Sequence, residues 1–158
     1  MIAPADEGES ALERALTRFV HEAGVRMALV VDETGAVISQ RGFTRRLDLI
    51  SASSLAAAIH ASSKALGREI GDAAFGPLHH EGKRRHLFLA PLRAGGVVQL
   101  LLAVFDGSTS IGLVRVFWDD MLRDLQTAAA SGPAAAPRVS ADFGREADEA
   151  LASLFSRR

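Results

Sequence analysis

His79, His80, Glu81 and His86 are the densest set of groups able to do chemistry in this chain. With residues 82 and 83 as the tip of a hairpin, His79 and His86 would stand across from each other. Two imidazoles and a carboxylate could then hold zinc, with water in the fourth place. The same cluster also reads as a polar hairpin at a rim or interface, and no metal site is assigned. Lys83, Arg84, Arg85 and His86 concentrate positive charge that could meet phosphate. They lack the interleaved aromatic residues of a single-strand binder, so nucleic acid is not expected. Asp32, Glu33 and Asp106 fall at strand ends, where catalytic carboxylates can sit, but each has a sufficient role in a turn or cap. There is no phosphate-loop motif, no dinucleotide glycine fingerprint and no Gly-x-Ser-x-Gly elbow. With no cysteine at all, disulfides, thiol nucleophiles and thiolate metal sites are excluded. No catalytic residue or cofactor is assigned, and the chain reads as a non-enzyme.

The elements around these residues belong to one compact domain. At 158 residues, 48% apolar and 23% charged, the chain is long enough for one sizeable core and is neither disordered nor membrane-like. Its 18 basic and 19 acidic residues leave a net charge of -1, which gives no field to recruit nucleic acid or an acidic membrane. The start, MIAPADEGES, has no basic residue and no apolar run, so export is not expected. The longest apolar stretch, VVQLLLAVF (97–105), is too short to span a bilayer. The expectation is a soluble, cytoplasmic protein without membrane insertion.

Ser10 with Glu13 has capping-box spacing, and Leu12, Leu16, Phe19 and Val20 predict a helix ending near Ala23-Gly24. MALVVD (27–32) and GAVISQR (35–41) predict two strands joined by an Asp/Gly turn. Residues 51–71 predict a second helix. AAFGPLHHEG (73–82) predicts an edge strand because of Pro77, and 83–96 and 97–105 predict two more. The last of these is apolar on nearly every residue, which places it centrally. Asp106 to Thr109 offer caps for a third helix with Ile111, Val114, Trp118, Met121 and Leu125 along one side, widened by Leu113, Phe117 and Leu122. The expected fold is α/β (α+β), a five-stranded mainly antiparallel sheet with helices on both faces. The core domain covers 9–130, an Ala/Pro linker 131–140, and a C-terminal amphipathic helix 141–158. That tail could cover its own dimer or contact a partner.

The second helix carries two stripes. Leu55, Ile59, Ser62, Leu66 and Ile70 form one; Ala56, His60, Ser63 and Gly67 form a row of mainly small residues that permits close approach by another element. We expect the small row to be the self-contact of a two-fold dimer, with burial inside the monomer as the alternative. Edge strands pairing across the axis would extend the sheet. The outer face carries Ala57, Ala61, Lys64 and Arg68, and two copies of it would make a platform for a globular partner. Arg45, Arg46 and Asp48, before the helix, are ordinary solvated charges with a partner contact as the alternative.

The strings MALVVDETGAVISQRG, SLAAAIHASSKALGREIG, FGPLHHEGKRRHLFLAP and VVQLLLAVFDGSTSIGLVR, in this order, resemble the Roadblock/dynein light-chain family, and its bacterial MglB-like branch in particular. The resemblance covers about residues 10–128. It implies a homodimer with one sheet continuous across both subunits. It also implies a Ras-like small GTPase of the MglA type as partner, whose GTP hydrolysis the dimer stimulates in cell polarity or motility control, at a cell pole. The family's partner platform, carried over by position in the second helix, falls on Ala57, His60, Ala61, Lys64 and Arg68. Family members of this kind remodel the GTPase instead of inserting an arginine. The alternative is a non-catalytic dimeric scaffold of a signalling or motility complex.

Overall fold

A computed structural model describes residues 10–42, 48–72, 76–94 and 96–131. Arg45, Arg46, residues 132–140 of the expected linker and the expected tail helix at 141–158 lie outside the described residues.

Helix α1 (Ala11–Ala23) begins where its sequence signals say. The Ser10 hydroxyl accepts the Glu13 N–H, and the Glu13 carboxylate accepts the Ser10 N–H, so two otherwise orphaned donors are satisfied reciprocally. Gly24, at φ 66°, closes the helix in the left-handed region. Strands β1 (Met27–Asp32) and β2 (Val37–Gly42) follow as an antiparallel pair. Asp32 builds their turn by accepting the Thr34 N–H at 2.8 Å, the Thr34 hydroxyl at 2.6 Å and the Ala36 N–H at 3.0 Å. The Thr34 hydroxyl bond is the largest cause holding the Asp32 carboxyl below the usual carboxylate range. Such a role leaves Asp32 a structural carboxylate.

Helix α2 (Leu49–Glu69) starts two residues before the expected Ser51. Its cap is Asp48, which accepts the N–H groups of Ile50 and Ser51 and the Ser51 hydroxyl. Strands β3 (Leu78–Glu81), β4 (His86–Ala94) and β5 (Val97–Phe105) precede helix α3 (Ile111–Ser131). The N-terminal side chain of α3 is Ser110, whose hydroxyl accepts the Leu113 N–H. Asp106 serves the turn before it, accepting from Ser108 and from Arg26 at 2.7 Å. These bonds, the Ser108 hydroxyl first, hold its carboxyl far below the usual range.

The strands form one antiparallel sheet in the order β2-β1-β5-β4-β3. The apolar β5 lies at the centre and the strand after Pro77 at an edge, as their compositions require. Alternation along β1 and β5 divides the core between two faces. On one face, α1 and α3 cover Ala28, Val30, Phe88, Leu101, Ala103 and Phe105 with Leu16, Phe19, Val114, Met121 and Leu125. Trp118 packs edge-to-face on Phe88 at 5.8 Å between ring centroids. Leu113, expected to widen the buried stripe of α3, is instead exposed. On the other face, α2 is the one helix among the described residues that meets Met27, Leu29, Val31, Leu89, Leu100 and Leu102.

Candidate interaction surface

The face under α2 is built from large residues on the sheet and small ones on the helix. Ser53, Ala56, Ala57 and Gly67 of α2 are buried. Ala56 is only 2% exposed, while its neighbour Leu55 is 63% exposed. The sheet already supplies bulky side chains, so a helix presenting alanine, serine and glycine can come close to it. At Gly35 in the β1–β2 turn, a Cβ would lie 3.1 Å from the Ser54 Cα. Glycine is required there both for that approach and for its φ of +92°.

Within the single chain, the row of small residues expected at the self-contact is divided. Ala56 and Gly67 are buried within the single chain, Ala56 against the sheet; His60 and Ser63, in the same row, are half-buried. Ala57, placed by position on the outer platform, is likewise buried. Of the expected platform, Ala61, Lys64 and Arg68 are exposed. The stripe left free is the greasy one. Leu55, Ile59, Leu66 and Ile70 are all exposed, Leu66 at 58% and Ile70 at 62%. Sequence reasoning identified that stripe but not its direction.

Beside the N-terminal half of this stripe lies an apolar groove of about 360 Å³, walled by Leu55 and Ile59 of α2 and by Leu87, Leu89, Leu102 and Val104 of the sheet. Asp48, Ser51 and His80 also line it. Edge strand β3 borders the same region, paired only with β4 among the described strands. Further along α2, Lys64 Nζ donates to Glu33 Oε1 at 3.1 Å, tying the helix to the β1–β2 turn. His60 Nε2 lies 4.0 Å from the same oxygen.

The register of the histidine hairpin differs from the one that would set His79 opposite His86. Glu81 pairs with His86 and His79 with Phe88, so the hairpin is displaced from a tip at residues 82 and 83. Gly82 N–H bonds the Arg85 carbonyl across the actual turn. His79 and His86 are therefore diagonal neighbours, stacked at 5.6 Å, and both rings stack on Phe105. His79 Nε2 and His86 Nδ1 are sealed from solvent with no hydrogen-bond partner among the described residues. No group of three or more potential ligands converges as a metal site among the described residues. The basic Lys83, Arg84 and Arg85 are exposed in the turn. No helix among the described residues is long and apolar enough to cross a membrane.

The model of the Roadblock/LC7 domain matches residues 11–103. Among solved structures, MglB of Myxococcus xanthus is 28% identical, with a TM-score of 0.70 over 80% of this chain and 100% of that one. The gliding protein MglB of Thermus thermophilus is 24% identical, with a TM-score of 0.67 over 84% and 96% of the two chains. An MglB described as having a tetrameric arrangement is 26% identical, with a TM-score of 0.66 over 82% and 98%. No curated protein matches the chain.

Proposed function

The chain belongs to the Roadblock/LC7 family, and from that premise we propose that it is a homodimeric regulator of a Ras-like small GTPase of the MglA type, stimulating GTP hydrolysis in the control of polarity or motility. The observation that carries this reading is the exposed row Leu55, Ile59, Leu66 and Ile70 beside an apolar groove and a sheet edge. Burying an aliphatic side chain is worth about 1.5–3 kcal/mol. A two-fold axis uses each such residue twice. Pairing of β3 with its copy would continue the sheet, and the stripe of one α2 would enter the groove of the other.

The paired helices then leave Ala61, Lys64, Arg68 and the rim of His60 as a shared surface. Its work on a GTPase is differential binding. A regulator that holds the hydrolysis-competent conformation more tightly than the relaxed one lowers the barrier by that difference. Each 1.4 kcal/mol of such preference is worth roughly tenfold in rate. This route asks for no catalytic group from the regulator, and the Asp32 and Asp106 carboxylates are committed to turns.

Phosphate release from an MglA-type GTPase, measured with and without the protein, tests the proposal. Acceleration is the expected result, and Lys64→Glu with Arg68→Glu should reduce it while leaving self-association intact. Binding without acceleration would make the protein a scaffold of the kind the family also contains. Absence of binding would remove the GTPase from the reading altogether.

A further inference from the structure

His60 is half-buried on α2, in the row that also carries the buried Ala56 and Gly67. Its Nε2 is sealed from solvent and has no hydrogen-bond partner among the described residues. The nearest acceptor, Glu33 Oε1 at 4.0 Å, is already engaged by Lys64 Nζ at 3.1 Å. The charges that act on His60 come from three elements: Glu33 from the β1–β2 turn, Lys64 from α2 and Arg93 from β4. From β1 and β5, α2 meets Met27, Leu29, Val31, Leu100 and Leu102, which are all apolar. A charge on the ring would feel two cations, with one carboxylate to share.

We propose that His60 is a proton-sensitive latch between α2 and the β1–β2 turn. Neutral, it lets α2 sit close on the sheet and leaves Glu33 to Lys64. Protonated, it competes with Lys64 for Glu33, is repelled by Lys64 and Arg93, and loosens the seating of the helix. Burial first, then Lys64, with Glu33 opposing and Arg93 adding, push the His60 imidazole below its ordinary value of 6.5. The unfolded chain therefore takes up the proton more readily than the folded one. Stability is full above that ordinary value and falls as the pH drops through it toward the lower folded-state value. The latch needs no partner; its effect on a GTPase rests on the functional reading of α2 above.

The test is urea denaturation of the full chain at pH 7.5 and 5.5, comparing wild type with His60→Gln, Glu33→Gln and Lys64→Met. The wild-type midpoint should shift to lower urea on acidification, and His60→Gln should remove part of that shift. Lys64→Met should shrink it, because Glu33 is then free to receive the imidazolium. Glu33→Gln should enlarge it, because only repulsion remains. Opposite signs for these two variants are something a merely structural role would not produce. An undiminished acid shift in His60→Gln, or the same sign for Lys64→Met and Glu33→Gln, overturns the latch. If a variant is too unstable at pH 7.5, amide exchange of Ala56 and Ala57 in the wild type decides instead: acceleration at pH 5.5, beyond the intrinsic effect of pH, supports the latch, and its absence overturns it. The expected pattern in a protein that leaves the GTPase unaffected would retain the latch and remove the functional reading.

Discussion

The two faces of the sheet are packed on opposite plans. Under α1 and α3 the core is closed by large side chains from both layers, with Phe19, Phe88 and Phe105 almost fully enclosed. Under α2 the large residues come mainly from the sheet, joined by Leu49 at the helix start, while the rest of the helix contributes alanine, serine and glycine and keeps Leu55, Ile59, Leu66 and Ile70 outside. Close packing serves stability on the first face. On the second, the residues that would ordinarily complete a core are held where another molecule can meet them. Exposed apolar surface of this extent is a mark of an interaction site.

The largest effect separating the faces should come from Phe88→Ala. Its ring is fully buried and meets Trp118 edge-to-face, so its loss removes both transfer energy and packing. A destabilisation of about 3–5 kcal/mol is expected, read as a lower urea midpoint. On the α2 side, Leu55→Glu with Ile59→Glu should leave the isolated chain folded, since both side chains already meet solvent. Self-association should weaken by at least roughly a hundredfold, the equivalent of about 3 kcal/mol of lost burial. Sedimentation of the double variant as an unchanged oligomer would move the self-contact off this stripe. Ala56→Leu, one residue along, should behave in the reverse manner. It overfills the contact between helix and sheet, costing about 1–3 kcal/mol of folding stability by denaturation.

Leu55 and Ala56 also mark where the sequence stops being legible. Local signals in the chain were sufficient for the Ser10–Glu13 cap, the Gly24 stop, MALVVD, the Asp32 turn and the central position of VVQLLLAVF. Each depends on a few neighbouring residues whose hydrogen bonds or burial admit little else. The orientation of α2 does not depend on neighbours in sequence. Both of its stripes have helical period, and hydrophobicity alone would turn Leu55 inward. The decision lies with Met27, Leu29, Val31, Leu89, Leu100 and Leu102, which are distant in sequence and fill the sheet side of a contact that α2 meets with Ala56 and Ala57. The register of the histidine hairpin was open for a related reason. A displaced turn turns His79 and His86 from directly opposed ligands into stacked neighbours, and nothing in HHEGKRRH specifies which register wins.

The smallest predicted contrast lies at the helix caps, where the two faces use different chemistry. Ser10 caps α1 with a hydroxyl that does not titrate, so Ser10→Ala should cost about 1 kcal/mol. Removal of that hydroxyl should weigh equally on both sides of the carboxylate range. Asp48 caps α2 with a carboxylate whose bonds to the Ser51 hydroxyl, the Ser51 N–H and the Ile50 N–H hold it below the usual range, the hydroxyl bond contributing most. A carboxyl so lowered contributes stability above its unfolded-state value and loses it as the pH falls through the folded-state one. Asp48→Ala should therefore lower the midpoint by an amount that is steady near neutral pH and shrinks as acid protonates Asp48 in the wild type. Urea titrations from neutral pH to below the carboxylate range would show this as a closing gap for Asp48→Ala beside a steady one for Ser10→Ala. A gap for Asp48→Ala that stayed constant into acid would mean that the start of α2 is held by its seating on the sheet and not by its cap. The exposed stripe would then owe its position to the small residues beneath it alone.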